Sequence, residues 1–393
     1  IAIVGAGLTG NSLALALAKI GFKIALIDPK AFSSLKNLKF DTRNTALSKK
    51  TMLFYKKIGF WKLINNNVCA IENIIVNNGN SKKNISFKKN NGAKNNNTLG
   101  FMIENKILSK QLIISSQNNK NIYKFDSKLS KFDREKDFVL VRLEDKTIIN
   151  CKLIIGADGK KSLVRKLACI EYFNKNYNQK AFIFNIKHEK KHNNIAIENF
   201  LEQGPLASLP LKSQNSNFYS SIVWSYNKPN YFKFLQLSNK EIEKILNFHL
   251  SELLGKIKIN SSIKSWDLSL VQSNQYIAHR LLLIGDAAHS IHPLAGQGFN
   301  LTMRGIETIY QMASGLDKKD EIGNFKNLNI YNNKQYLDSK AIIFATDKLN
   351  FLFSNSNFFL KNARKAGIFL FSKTSFFRNI FRNYASEGKI SLK

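Results

Sequence analysis

The sequence predicts an α/β fold: a frame of parallel strands, interrupted by an antiparallel insert and closed by a helical tail. Three observations carry this. Residues 1–30 read as strand, glycine turn, helix and strand, the pattern of a βαβ unit. Two later apolar runs, ending at Ile155 and Ile284, each enter a Gly/Asp turn as the first strand does. Between them, residues 179–275 alternate as short antiparallel strands do.

The elements follow in order. IAIV at 1–4 is a continuous apolar run, GAGLTG follows, and NSLALALAKIG forms an Ala/Leu-rich helix ending at Gly21. FKIALID supplies a second strand, parallel to the first and joined by a right-handed crossover. Residues 65–98 are Asn/Lys-rich and broken by short apolar alternations such as Ile71–Val76, so hairpins with exposed loops are expected. ENKILSKQLIISSQ at 104–117 has helical spacing, and DFVLVRLED and TIINCKLIIGADG read as two strands. KAFIFNI, GPLASLPL and FYSSIVWSY make the antiparallel insert, with a helix over 239–254. Parallel elements return at 281–312, and the tail, 326–393, is helical, aromatic and basic. The frame thus comprises residues 1–70, 98–178 and 276–325, the insert 71–97 and 179–275, and the helical region 326–393.

Composition bounds the function. At 393 residues and 44% hydrophobic content the chain can bury two substantial cores, and no apolar run reaches the length of a spanning helix. It opens directly in a strand without methionine or signal peptide, so a few preceding residues are expected. The net charge of +33 invites a nucleic-acid reading, but only nine of the 60 basic residues are arginine. The lysines are scattered, and the densest pairs (Lys82-Lys83, Lys88-Lys89, Lys190-Lys191) fall in Asn-rich loops, which points to a coding bias. Nucleic acid is therefore not an expected partner, whereas attraction to an anionic membrane survives as an expectation. Cys69, Cys151 and Cys169 are far apart with no C-x-x-C spacing, so a reducing compartment, buried thiols and no metal site are expected.

Gly5-Ala6-Gly7-Leu8-Thr9-Gly10 is a G-x-G-x-x-G between a strand and a helix, with Asp28 closing the next strand. This context suits a dinucleotide: pyrophosphate at the helix N-terminus, carboxylate on the ribose hydroxyls. Ile155-Gly156-Ala157-Asp158-Gly159, followed by Ser162 and Arg165, and Gly285-Asp286 supply two further strand-end turns. Three such sites imply a long, extended ligand, and FAD fits better than NAD. His289 and His292-Pro293 occupy a polar turn before Gly296-Gln297-Gly298, which feeds another helix. The histidines are acid/base candidates, though orienting the turn is the favoured role, since the oxygen chemistry belongs to the cofactor.

GAGLTG, DTRNTALS, GADGKKSLVR and GDAAHSIHPLAGQGFNL together resemble the class A FAD-dependent aromatic hydroxylases, and most closely the ubiquinone-biosynthesis branch (UbiH/UbiF/VisC-like). The match runs almost end to end. Branch-specific stretches are Gly59-Phe60-Trp61, LGFMIENKIL at 99–108, HNNIAIENFLEQGPLASLPL at 192–211, Val223-Trp224, DKLNFLFS at 347–354 and NARKAGIFL at 362–370.

That resemblance implies a Rossmann-like FAD-binding domain of the p-hydroxybenzoate hydroxylase type, interleaved with an antiparallel-sheet substrate domain. It implies that Gly5, Gly7, Gly10, Asp28, Arg43, Asp158, Gly159, Arg165, Gly285, Asp286, Pro293, Gly296, Gln297, Gly298 and Asn300 belong to the cofactor site. Asp286 would meet the ribitol, Arg43 the flavin or its phosphates, and the turn holding His292 and Pro293 the flavin ring. Asp158 and Arg165 belong to a turn implicated in both FAD and transient nicotinamide binding. Two departures stand out: Asp28 where the family more often has Glu, and Thr302-Met303-Arg304-Gly305 where a carboxylate near 305 is expected.

The implied activity is a monooxygenase that uses NAD(P)H and O2 to hydroxylate a polyprenyl-phenol ring in ubiquinone biosynthesis. A flavin halogenase is disfavoured, there being no W-x-W-x-I-P stretch around Trp61, Trp224 or Trp266. Open alternatives are a hydroxylase of a soluble phenolic compound and a non-enzymatic flavoprotein component of a quinone-synthesis complex. The strands Leu206–Leu211 and Tyr219–Tyr226 are expected to face substrate, with Trp224 and Tyr226 as lining or core residues. The phenylalanine-rich tail either lies at a membrane interface or packs on the FAD domain, and a cytoplasmic, peripherally membrane-associated protein fits both.

Overall fold

Continuous apolar strands demand cover on both faces, and the central sheet of the computed structural model provides it. The structure describes residues 1–29, 41–78, 84–88, 98–228, 230–291 and 296–354. The central sheet runs β19 (Ile277–Ala278), β20 (Leu281–Leu283), β12 (Ile154–Gly156), β1 (Ala2–Val4), β2 (Ile24–Ile27), β8 (Ile122–Phe125). Every pairing is parallel except the β19–β20 edge hairpin. Helices α1 (Leu8–Lys19), α3 (Asn105–Gln117) and α7 (Gln297–Ser314) pack on it, so the predicted βαβ unit and the strand returning at 281 are both present. The small sheet β9 (Leu129–Arg134), β10 (Val139–Leu143), β11 (Ile148–Cys151) and the short helix α4 (Leu163–Leu167) lie beside this core.

The insert is a nine-stranded sheet. Its order is β21 (His289–Ser290), β18 (Lys264–Ser273), β13 (Tyr172–His188), β16 (Asn217–Asn227), β15 (Gly204–Gln214), β14 (Ile195–Leu201), β5 (Asn73–Asn78), β6 (Asn84–Lys88). β17 (Ile257–Ile259) also pairs with β13. The predicted 71–97 hairpin joins this sheet through a parallel β14–β5 pair, so the insert is mixed rather than wholly antiparallel. The long strand β13 runs across residue 178, from one core to the other.

Period-two alternation splits this sheet between two partners. Phe182, Phe184, Ile197, Leu206, Ile222, Trp224 and Tyr226 form one face, packed under α5 (Asn230–Gln236) and α6 (Asn239–Leu254). Helix α6 starts on a capping box, Ser238 with Glu241, that holds its apolar stripe in register. On the other face Ile74, Ala196, Leu209 and Leu211 meet Cys69, Ile71, Leu99 and Met102. Those belong to the sheet β3 (Asn44–Ser48), β7 (Gly100–Glu104), β4 (Cys69–Ile71), whose β3 leads into α2 (Lys49–Lys57). Trp224 and Tyr226 are thus core residues behind the sheet, and their odd-numbered neighbours Val223 and Ser225 look toward the frame.

The tail helix α8 (Phe325–Ser354) buries Leu328, Tyr331, Gln335, Ser339, Ile342 and Thr346 along one stripe. It packs on α7, and Tyr331 donates to the Leu283 carbonyl at 2.9 Å. Of the expected tail, 355–393 lies outside the described residues. The three cysteines are free as expected, but Cys169 is exposed, standing at φ +53° in the turn after α4.

Trp224→Ala would open a large void in the α5–α6 core. The expected loss is about 3–5 kcal/mol, read from the denaturation midpoint, while the frame-facing side of the sheet keeps its side chains.

Candidate functional site

The glycine turn after β1 is built by backbone lying on backbone. A Cβ on Gly10 would fall 1.7 Å from the Gly5 carbonyl oxygen, and one on Gly5 (φ +101°) 2.4 Å from that of Ala157. Only glycine closes this turn against the neighbouring strand end. Gly7 differs: it is the N-cap of α1, and a Cβ there would meet nothing within 4 Å. No side chain caps α1, and its first turn carries no acid. Asp28 secures the turn by accepting from the Ala6 N–H at 2.9 Å.

The second turn is also held by its own side chains. Asp158 accepts from the Leu163 and Val164 N–H groups at 2.6 and 3.1 Å and from the Ser162 hydroxyl at 2.5 Å, so it caps α4. Buried Arg165 donates to the carbonyls of Ala287 and Lys160, both at 2.8 Å, and lies 4.0 Å from the Tyr172 ring. It ties the second turn to the third. Gly159 (φ +81°) again faces open space.

In the third turn a Cβ on Gly285 would lie 3.0 Å from Thr9, which keeps this turn against the start of α1. Solvent reaches the Asp286 carboxylate, yet protein walls it on nearly every side, as on the floor of a cleft. Burial raises its pKa, and the charges of Lys160 and Arg43 act in the opposite sense. Lys160 hydrogen-bonds Ser269. Arg43 is gripped by both Asp41 carboxylate oxygens at 2.9 and 2.8 Å and lies 5.8 Å from the Trp266 ring.

The fourth piece is the start of α7. Gly296, its N-cap, is left-handed at φ +61°, and no side chain caps this helix either. Three other helices start on serine, Ser48 for α2, Ser162 for α4 and Ser238 for α6, while α3 starts at Glu104 without a side-chain cap. Asn300 does not point outward. Its Nδ2 donates to the Ala46 and Gly296 carbonyls at 2.8 and 3.1 Å, and its Oδ1 accepts from Ser48 N–H and Thr51 Oγ1 at 2.8 and 2.9 Å. Gln297 is buried beside it, and Gly298 opens the helix. His292 and Pro293 lie outside the described residues.

His289 is buried and its Nε2 accepts from the Gln335 amide at 3.1 Å. Burial, with Arg304 nearby, pulls its pKa down to about 4. It is a neutral packing residue at neutral pH. Position 305 carries no acid, and Arg304 Nε instead donates to Asp338 on α8 at 2.6 Å, while Gly305 leaves room for Gln335 and Tyr331.

Sequence reasoning missed Lys160, Trp266 and the polar contact of Asn44 with Asn185 and Ser221 (both 2.9 Å), which joins β3 to the sheet. It missed Glu198 as well, the one carboxylate in the apolar strand β14. For Asn44 and Lys160 the signal was adjacency to Arg43 and Gly159; for Glu198 it was a charge within an otherwise apolar alternation.

Three strand-end turns, two uncapped glycine-started helices and a carboxylate flanked by Lys160 and Arg43 fit one extended anionic cofactor. Residues 1–316 match the family model described as an FAD binding domain. The chain is 30% identical to the ubiquinone hydroxylase UbiL of Rhodospirillum rubrum over 98% of its length and 89% of the relative. It is 27% identical to the mitochondrial ubiquinone biosynthesis monooxygenase COQ6 of Schizosaccharomyces pombe, covering 99% of this chain and 92% of that one. The fold is shared with p-nitrophenol 4-monooxygenase PnpA of Pseudomonas putida DLL-E4: TM-score 0.76, 15% identity, 97% of this chain and 95% of that chain covered. The sequence-level resemblance and fold class are therefore borne out.

His289 yields a pH prediction. Its folded pKa lies below the unfolded value near 6.5, so the unfolded chain takes up the proton first as pH falls. The associated stability is present above about pH 6.5 and drains toward pH 4. His289→Gln should flatten that part of a stability-versus-pH curve measured by denaturant unfolding.

Proposed function

The chain belongs to the FAD-dependent aromatic hydroxylases of ubiquinone biosynthesis, and on that premise we propose that it hydroxylates the ring of a polyprenyl-phenol intermediate with NAD(P)H and O2 as co-substrates. The observation that carries the residue-level reading is the pair of uncapped, glycine-started helices, α1 and α7, whose N–H groups have no acidic partner in their first turns.

In this reading the α1 N-terminus holds the pyrophosphate across the open space at Gly7, and Asp28 serves the adenosine ribose. Gly159 lets its own backbone approach the cofactor, while Asp158 and Arg165 position that turn rather than touch the ligand by charge. Asp286 meets the ribitol, flanked by Lys160 and Arg43. The α7 N-terminus from Gly296 to Gly298 would hold the flavin end of the cofactor, its helix dipole and N–H donors suited to an anionic group. Asn300 locks that helix to β3, so the donors stay aimed without reorganisation. Bound there, FAD supplies the redox chemistry that takes electrons from NAD(P)H and activates O2. The frame-facing side of the nine-stranded sheet roofs the substrate and keeps water out.

Access for a polyprenyl tail falls to α8. Ile330, Leu337 and Phe344 are each more than half exposed and recur every seven residues, so they form one outward stripe. No described helix is long and apolar enough to cross a membrane. With the +33 net charge, the stripe suits peripheral contact with an anionic lipid surface.

The purified protein should carry FAD and, given a prenylphenol, add one oxygen to the ring while oxidising NAD(P)H. Gly7→Val and Asp286→Ala should each weaken FAD retention about tenfold or more, measured by flavin release on dilution. Wild-type protein that binds no flavin, or variants that retain it undiminished, would sink the assignment. In vesicle flotation the protein should rise with phosphatidylglycerol liposomes and not with phosphatidylcholine alone. Leu337→Glu with Phe344→Glu should abolish that, and equal flotation would remove the membrane-contact reading.

A further inference from the structure

Glu198 is a carboxylate that makes no hydrogen bond or ion pair among the described residues. It lies in β14 one residue from Ile197, whose side chain is in the α5–α6 core, and two from Ala196, which packs against the frame. Strand parity therefore sets Glu198 on the frame-facing side, in one row with Val76 on β5, Ala207 on β15, Val223 on β16 and Ile183 on β13. One row away on the same face, Asn185 and Ser221 receive the Asn44 amide from β3.

The surroundings of Glu198 are apolar. No hydrogen bond reaches it among the described residues, and Ala207 and Val76 are its cross-strand neighbours. It is half-buried and enclosed by protein, and burial alone raises its pKa to about 7. Among the described residues no charge acts on it from the packed elements. The titratable groups there are Cys69 on β4 and Tyr219 on β16, with Lys264 at the far end of its own row on β18. Several acids elsewhere are matched: Asp158 by helix N–H groups, Asp338 by Arg304, Asp41 by Arg43, Glu241 by its cap. An unmatched carboxyl on the substrate face is a poor structural choice and a good proton acceptor.

We propose that Glu198 accepts the hydroxyl proton of the phenolic substrate and so fixes and activates the ring. The proposal deepens the ring-hydroxylase reading and rests on it. The phenol O–H bond breaks, its electron pair stays on oxygen, and the proton forms an O–H bond on the Glu198 carboxylate. Nothing is oxidised or reduced in this step. The phenolate is more electron-rich at its ortho and para carbons, which favours delivery of an electrophilic oxygen there. The proton returns to solvent when product leaves.

The test uses the FAD-loaded full chain, a short-chain prenylphenol and its methyl ether, which has no hydroxyl proton. Glu198→Gln keeps the shape and removes the base. Flavin content and the rate of flavin reduction by NAD(P)H should match wild type. Prenylphenol binding, read from the flavin absorbance, should weaken about tenfold, while the methyl ether binds both proteins equally. In wild type, hydroxylated product per NAD(P)H should fall as pH drops below about 7, because the acceptor is then already protonated. Glu198→Gln should show a low yield without that limb, and Glu198→Asp should restore part of it. Parallel losses for phenol and ether, or an unchanged pH limb in Glu198→Gln, would overturn the proposal and leave the hydroxylase reading standing. If wild-type protein forms no hydroxylated product, the hydroxylase reading fails and this inference with it.

Discussion

The constraint on which the rest of this structure depends is steric: three strand ends and one helix start occupy space that admits no side chain. Gly10 rests on the Gly5 carbonyl, Gly5 on the Ala157 carbonyl, and Gly156 is hemmed by Leu283 and Val164. The motifs near residues 5, 157 and 285 are therefore one object, separated in the chain by the whole insert. Arg165 completes the lock by holding the Ala287 carbonyl. Once those ends are fixed, the α1 N-terminus has only one place to point, and Gly7 leaves that direction open.

A division of labour follows. The polar side chains around the site mostly hold backbone: Asp28 on Ala6, Asp158 on α4, Asn300 on β3 and α2, Arg304 on α8. The N–H groups that open α1 and α7 take no side-chain cap. This suits a cofactor that brings its own reactivity, since what it requires from protein is fixed dipoles in a dry, rigid frame. The tail helix belongs to this frame: Gln335 and Tyr331 reach past Gly305 to His289, Leu301 and Leu283, bracing α7 from behind.

Much of the fold was legible because its signals are local. A glycine turn between an apolar strand and an Ala/Leu helix has few other solutions, and the 239–254 helix announces itself through Ser238 and Glu241. What stayed illegible was which face of the insert turns toward the frame. Ile183, Val223 and Ala207 on one side are as apolar as Phe182, Trp224 and Leu206 on the other, so the period-two signal is flat. Trp224 drew attention by size and proved to be core. Asp158 and Arg165 were recognised as a motif, but the sequence does not reveal that their charges are absorbed within the protein. That Arg304 pairs with Asp338, 34 residues further on in the next helix, is likewise beyond local sequence signals.

The charge balance gives Glu198 its weight. The chain has 60 Lys and Arg against 27 Asp and Glu, so cations are the abundant species and a carboxylate is easily matched. Pairing would hold the carboxyl firmly ionised and depress its affinity for a proton, as Arg43 does for Asp41 against the pull of burial. An apolar setting does the reverse and brings the acid to where a proton can move either way near neutral pH. Asp286 shows the intermediate case, a solvent-reached acid walled by protein, with two cations near enough to oppose the desolvation. In so basic a protein, that no described cation acts on Glu198 is a property of the face it occupies rather than of the charge supply. That face is the one the frame closes over.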